Sequence, residues 1–265
     1  MVKNYFSDNV EDSRYVTALA RGLMILSCFN DEVTQLTHQQ LCERTGLPKA
    51  TISRLIFTLV STGYLTHANK NTYQVGINAL KLAYNATTLY DISKVTIHTL
   101  EKFALTHQVS VNIATHHQGM MRYVACYRSP ARIAVNLEIG SEVPIATTAI
   151  GKAFYATAEN LVQEDILKNL YRRLTPESFQ KAVIELEEAT KFYQQHNYSS
   201  SAGDFIAEIV AIAVGLPPTS SSSLPHYSVN ISVPKTQFST EELVEKLLPS
   251  LQHLSIELNE QLSFL

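Results

Sequence analysis

LTHQQLCERTGLPKATISRLIFTLVSTGYL, residues 36–65, decides how the rest of the chain is read. Its pattern is a helix, a tight turn and a second helix. Thr37 opens the first helix: Gln40, three residues on, reaches back to it, and Leu36 and Leu41 flank the cap as a hydrophobic staple. Gly46 permits the sharp turn. Pro48 stands where the next helix begins, its missing N–H costing nothing in a first turn. The chain thus reverses over about four residues, as a helix-turn-helix does.

In the second helix Ile52, Leu55, Ile56, Leu59 and Val60 gather on one face. The other face carries Lys49, Thr51, Ser53, Arg54 and Thr58, with Ala50 among them. Cations and hydroxyls without an acid suit phosphate oxygens and base edges better than a protein core. An ordinary amphipathic helix has the same period, so the flanking sequence matters. After Gly63, residues 64–67 and 72–75 alternate like two short strands around the turn Ala68-Asn69-Lys70-Asn71, a wing with Lys70 at its tip. Over residues 36–75 Arg44, Lys49, Arg54 and Lys70 stand against Glu43 alone, a net charge of about +3 in a chain of -3 overall. Lys49, Ala50, Thr51, Ser53, Arg54, Thr58 and Lys70 are therefore the candidate contacts to double-stranded DNA.

The 265 residues suit two domains, and 45% hydrophobic content is normal for full cores. Cys28, Cys42 and Cys126 are odd in number and lack CxxC spacing, which excludes a disulfide framework and a zinc ribbon. They read as small core residues of a reducing compartment. The N-terminus is polar and acidic where a signal peptide would be basic and then apolar. The apolar run Ile209 to Leu216 is far short of the roughly 20 residues that span a bilayer. A cytoplasmic protein without a membrane partner is expected.

Upstream, Val16, Leu19, Ala20, Leu23 and Leu26 keep helical spacing, and this helix is expected to pack behind the two already described. Residues 12–76 then form a winged helix-turn-helix, residues 77–91 a linker helix, and residues 92–265 a second domain whose first helix carries Ile92, Val95, Leu100 and Phe103. The period changes from 3.6 to 2 at Val109, Val111 and Ile113, then at Met121, Tyr123, Ala125 and Tyr127, then at Ile133, Val135, Leu137 and Ile139: an antiparallel meander. Thr147 or Thr148 caps a helix, another runs from about Asn160 to Tyr171, and Thr175-Pro176 starts a third that ends near His196. Residues 199–204 read as a loop, Phe205 to Val214 as a buried central strand, residues 216–225 as a connection, and Tyr227 to Val233 as the last strand. Ser239 and Glu242 make a capping box for the final helix, which Pro249 should kink. The expected class is α+β, with a five-stranded, mostly antiparallel sheet wrapped by helices.

The chemistry of enzymes is missing. AIGKAF at residues 149–154 lacks the glycine and the Ser/Thr of a phosphate-binding loop, no HExxH or GxSxG occurs, and His116-His117 point to opposite faces of a strand end. No catalytic residue, metal or cofactor is assigned. Ser228, Asn230 and Ser232 lie opposite the apolar face of the last strand. They form either a solvated outer face or a row of neutral donors lining a small-molecule cleft, closed by the 147–151 turn and its helix N-terminus. A small carboxylate suits such a cleft.

Taken in order, RGLMILSCF, GLPKATISRLIFTLVSTGYL, YQVGINALKLA and GSEVPIATTAIGKAFYA resemble the isocitrate lyase regulator (IclR) family of bacterial transcription factors, over nearly the whole chain from about Tyr15. The resemblance implies a homodimeric or homotetrameric repressor or activator whose GAF-like second domain binds a small metabolite, commonly an organic acid. It places the effector at Ala149, Ile150 and Gly151, the loop from Ser201 to Asp204, Ala211, Asn230 and Ser232. The chain departs from the family pattern at Asn197-Tyr198, at the single acid Asp204, and in having Ala211 where the family has Cys and Gly215 where it has Pro. The competing reading is a metabolite-binding sensor or enzyme domain with a helical protein-interaction head.

Overall fold

The Thr37 cap forms as its sequence dictates: its hydroxyl accepts from the Gln40 amide at 3.2 Å, and Gln40 Oε1 accepts from the Thr37 amide at 2.8 Å. In the computed structural model, which describes residues 13–30, 33–89, 92–128, 137–216 and 226–262, this cap lies in the first of two compact units, Met1–Leu89 and Tyr90–Leu265.

The first unit contains α1 (Thr17–Leu26), β1 (Leu36–Thr37), α2 (His38–Thr45), α3 (Lys49–Ser61), β2 (Leu65–His67), β3 (Thr72–Val75) and α4 (Ile77–Leu89). Gly46 turns the chain at φ 70°, the left-handed conformation that needs no Cβ. Pro48 is the cap residue of α3 and not its first turn; its carbonyl accepts from the Ile52 amide at 3.0 Å. Ile52, Ile56, Leu36, Leu41, Leu65 and Ile25 make the core. The wing gains a strand that the sequence did not announce: β1 pairs with β3, giving the order β1-β3-β2.

α1 packs against α2 and α3 as expected, but largely through a different face. Val16, Leu19 and Leu23 are 61%, 64% and 47% exposed, whereas Met24, Ile25 and Cys28 are buried. Helical spacing marks an apolar stripe without saying what covers it, and here the short helix carries two. Likewise Ile77, Leu80 and Leu82 of α4 are 76%, 64% and 54% exposed.

The second unit contains α5 (Ile92–His107), β4 (Ser110–His117), β5 (Met120–Tyr127), β6 (Glu142–Pro144), α6 (Ala149–Thr157), α7 (Asn160–Arg173), α8 (Pro176–His196), β7 (Ser199–Ala202), β8 (Ile209–Leu216), β9 (Tyr227–Pro234) and α9 (Thr240–Leu262). Among the described residues the sheet has six strands in the order β6-β5-β4-β9-β8-β7, not five, and every pair is antiparallel. Residues 199–202, expected as loop, are the edge strand β7, paired Ser199↔Ala213 through Ala202↔Val210. Backbone pairing makes this strand despite its poor intrinsic propensity. The strand expected from Phe205 begins four residues later, at Ile209, because residues 203–208 turn. The meander's expected third strand falls on residues 133–136, outside the described residues, and on 137–140, which are turn and irregular; β6 takes the place beside β5. The expected connection at 217–225 and the linker's end at 90–91 also lie outside the described residues.

Side chains from α5 and α9 cover one face of this sheet, with Val111, Ile212, Val229 and Ile231. Those from α6, α7 and α8 cover the other, with Tyr123, Ala211 and Ala213. Ser228 and Asn230, 0% and 4% exposed, therefore face a helical layer and not solvent. A bulge falls where the β4–β5 register shifts, Ile113 opposite Ala125 and Ala114 opposite Tyr123. The extra residue, Val124, sends Met121 and Tyr123 toward α6 but Ala125 to the opposite core, so the face predicted for all of them is split. Pro249 lies within α9. No helix among the described residues is long and apolar enough to cross a membrane.

Candidate functional site

On α3 the residues Lys49, Ala50, Ser53, Arg54 and Thr58 are exposed and Thr51 is half-buried. Lys70 is exposed at the wing tip, where Asn69 Oδ1 accepts from the amides of Asn71 and Thr72, each at 3.0 Å, and holds the turn. The surface cations are fewer than the sequence count. Arg44 Nη1 donates to the Cys28 carbonyl at 3.0 Å, so this guanidinium closes the end of α1. Thr58 donates its hydroxyl to the Arg54 carbonyl at 3.1 Å, which leaves only its lone pairs for a ligand. A groove lined by Thr17, Ala18 and Arg21 of α1 and by Ala50, Thr51 and Arg54 of α3 extends this face. The sequence reading passed over Phe57, 74% exposed one turn beyond Arg54, because an aromatic off the apolar stripe gives no periodic signal. Such a ring suits thymine methyl groups and sugars. The start of α4 is clasped to the end of α3 and the segment after it: Asn78 Nδ2 donates to the carbonyl of Thr62, the α3 cap residue, at 2.8 Å, and the Gly76 amide to the Tyr64 carbonyl at 2.9 Å.

In the second unit a small cleft opens where α6 begins against β7, β8 and β9. Ala149, Ser201, Asp204, Ala211, Asn230 and Ser232 line it, as expected. Ile150 and Gly151 do not. Ile150 is fully buried, its carbonyl accepting from Ser228 Oγ at 2.9 Å, and Gly151 packs against the backbone of Ile145. Only the first residue of α6 faces the cleft; the helical rotation turns the next two into the core. Thr148 of the expected turn and Gly203 of the expected loop also line the cleft, and Tyr123, Leu137, Val143, Phe205, Ile206 and Ile209, which the sequence does not assign to it, complete the lining. Tyr123 is signalled by no motif, since the bulge re-aims it.

The polar groups of the cleft are tied to one another. Thr148 caps α6, accepting from the Gly151 amide at 3.3 Å and donating to the Pro144 carbonyl at 2.6 Å. Ser201 Oγ accepts from the Ala149 amide at 3.2 Å. Asn112 Nδ2 donates to Asn230 Oδ1 at 3.1 Å, and Asn230 also meets the Tyr123 hydroxyl, whose ionisation burial suppresses. Lys152 Nζ lies 3.4 Å from Asp204 Oδ2, so the acid at the mouth is partly neutralised. Cys126, pushed up to about 12 by burial, stays a thiol at neutral pH. His116 Nε2 accepts from the Gly119 amide at 2.8 Å and belongs to the β4–β5 hairpin. Among the described residues no group of His, Cys, Asp and Glu is placed to hold a metal ion.

Residues 18–68 match the IclR helix-turn-helix domain, and residues 84–259 match the C-terminal domain of the bacterial transcriptional regulator IclR. The chain belongs to the IclR family. It is a DNA-binding transcriptional regulator with an effector-binding C-terminal domain, of a family that is not enzymatic. The HTH-type transcriptional regulator TsaQ1/TsaQ2 of Comamonas testosteroni is 28% identical to it over 242 residues, covering 90% of this chain and 86% of the relative. The crystal structure of an IclR family transcriptional regulator from Brucella abortus, 28% identical, matches with a TM-score of 0.73 over 99% of this chain and 97% of that one. An IclR homolog from Microbacterium hydrocarbonoxydans, crystallised with 4-hydroxybenzoate, shares the fold at 18% identity, with a TM-score of 0.72 over 94% of this chain and 100% of its own.

One expected departure from the IclR pattern, Gly215, has a local reason. Gly215 donates its amide to the Tyr193 hydroxyl at 3.0 Å, a bond proline has no hydrogen to make, and a Cβ there would strike the Thr157 side chain. Ala211 is 5% exposed and lines the cleft.

Proposed function

We propose that this regulator reads operator DNA through Lys49, Ala50, Thr51, Ser53, Arg54 and Thr58, grips the flanking backbone or groove with Lys70, and controls a catabolic operon from the bacterial cytoplasm. A small organic acid binds in the cleft at Ala149, Ser201, Asp204, Ala211, Asn230 and Ser232. The observation that carries the reading is the cleft's make-up: apolar walls with the polar groups of Thr148, Ser201, Asn230 and Ser232 gathered beside the N-terminus of α6, the positive end of its dipole. The Microbacterium homolog's aromatic acid is a small organic acid. In domain terms, 12–76 is the DNA head, 77–91 the linker and 92–265 the sensor, the effector acting by its unequal affinity for two spacings of paired heads.

The test is a fluorescence-anisotropy titration of the protein against its own upstream intergenic DNA and a random duplex, at two salt concentrations, with and without a panel of small organic acids. Salt-dependent preference for the upstream DNA, altered by one acid, supports the reading; equal, weak binding to both duplexes with no response refutes it. Arg54→Ala should cost about 1–3 kcal/mol of specific binding and relax preference at one base pair, whereas Lys70→Ala weakens all duplexes alike. Indistinguishable effects would remove those roles.

Pairing of heads supplies what covers the stripes on α1 and α4. Isolated apolar side chains on a surface are ordinary, but two helical stripes in one small unit mark an interface. Leu19→Glu and Ile77→Glu are expected to lower the assembly state in sedimentation and to weaken operator binding at least tenfold, while leaving the fold intact because neither side chain is in the core. Unchanged sedimentation would place the oligomer contact elsewhere.

A further inference from the structure

Where α2 meets the outer face of α3, three side chains from separate points in the sequence form a line. His38, the first residue of α2, places Nε2 2.9 Å from Ser53 Oγ on α3 and Nδ1 3.6 Å from Cys42 Sγ one turn along its own helix. The Thr37–Gln40 box fixes the backbone on which the imidazole stands. Ser53 is exposed on the face assigned to DNA, and His38 and Cys42 are half-buried behind it. None of these contacts follows from the helix-turn-helix pattern itself.

The chemistry of the line has a direction. A hydroxyl offers one hydrogen and two lone pairs, and a neutral imidazole one N–H and one acceptor nitrogen. Phosphate oxygens, guanine O6 and purine N7 are acceptors only. When Ser53 gives its hydrogen to such an atom, its oxygen is free to accept from His38 Nε2–H, which leaves Nδ1 as the bare acceptor. Cys42 is placed to fill that position, because a thiol is a weak donor and an imidazole nitrogen a good acceptor. In the opposite tautomer Ser53 would spend its hydrogen on His38 and present no donor to DNA. We propose that His38, held by Cys42, is a positioning residue that sets Ser53 as a hydrogen-bond donor to acceptor atoms of the operator. The proposal rests on reading α3 as the DNA-contacting helix.

The probe is the duplex that the wild-type protein enriches from a randomised library, titrated by anisotropy beside an unselected duplex. His38→Ala and Ser53→Ala should each weaken binding to the enriched duplex about threefold to tenfold, the double variant no more than either alone. His38→Gln restores binding, because its amide nitrogen extends as far as Nε2, while His38→Asn, an atom shorter, does not. Cys42→Ser keeps the donor and binds as wild type. Repeating the selection with His38→Ala separates the acceptors: relaxation at one base pair points to a base edge, and uniform weakening to a phosphate. Should His38→Ala lower the thermal midpoint, the Gln and Asn variants carry the comparison. Wild-type affinity in both His38→Ala and His38→Asn, or losses in His38→Ala and Ser53→Ala that multiply, would overturn the proposal. If the wild type enriches no sequence, the DNA reading falls first, and this with it.

Discussion

Gly151→Ala is expected to destabilise the second unit by about 2–3 kcal/mol, although alanine is the better helix former. A glycine inside a helix ordinarily costs about 1 kcal/mol relative to alanine, so propensity alone forecasts a gain. Position 151 is different because the first turn of α6 lies on the backbone of Ile145. A Cβ there would sit 2.5 Å from Ile145 Cα and 2.6 Å from its carbonyl carbon, with the carbonyl oxygen closer still. These are backbone atoms with no rotamer to yield, so the overlap must be relieved by lifting α6 off the segment that precedes it. Overpacking of this sort costs about 1–3 kcal/mol and occasionally more. The same displacement would carry Thr148 and Ala149 away from Ser201 and spoil the cleft. Urea denaturation decides the matter: a rise in stability would mean that the close approach is absent.

Stability should also fall steeply on mild acidification, and His226 is the main reason. Its ring packs edge-on against Phe154, centroids 4.6 Å apart, with Nε2 2.9 Å from Thr157 Oγ1. That hydroxyl already donates to the Ala153 carbonyl at 2.8 Å, so the ring nitrogen donates to it. Burial lowers the pKa of His226 from 6.5 to about 4. The unfolded chain therefore takes up a proton near pH 6.5 that the folded chain refuses until about pH 4. The stabilisation is fully present above the unfolded value and is lost as pH falls through this window. A difference of this size amounts to about 3 kcal/mol. His107, His116 and His117 are lowered by burial as well and add to the loss in the same sense. Denaturation at about pH 7.5 and about pH 4.5 should show a markedly smaller difference for His226→Gln than for wild type. Equal slopes would mean that the ring is hydrated in solution.

What the sequence revealed and what it hid follow from the range of the forces involved. The Thr37–Gln40 and Ser239–Glu242 boxes and the Thr175-Pro176 start depend on residues within one turn, and each stands where it was predicted. Ser199 to Ala202 was misread because nothing local makes it a strand; only β8, across a turn, does. The exposed stripe of α1 was misread for the opposite reason: its local signal is strong, but the pattern of a core and the pattern of an interface are alike. In the cleft, Asn230 and Ser232 are legible as polar residues on one face of a strand, whereas Ser201, in a segment that reads as loop, is reached only through the resemblance to the IclR family. Tyr123 is not legible, since one inserted residue in β5 decides which way it points. Ile150 and Gly151 were placed with their neighbour Ala149, whereas a helix turns by about 100° at each residue and separates them.

The order of the strands bears on how the regulator is made. β4 lies between β5 and β9, so Ser110 finds its partner in Ser232, and α5 completes its core with α9. The hydrophobic core of the helix-turn-helix unit is drawn from Met24 to Tyr73. As synthesis proceeds, that core is complete while the inner strand β4 still presents an unpaired edge, because its neighbour β9 lies far downstream in the sequence. For that interval the nascent chain carries a finished DNA head and an unsealed sheet, the species that a chaperone or a protease would meet. A chain interrupted between the wing and Tyr227 would keep the residues of the DNA head and lack the strand that seals the middle of the second unit's sheet.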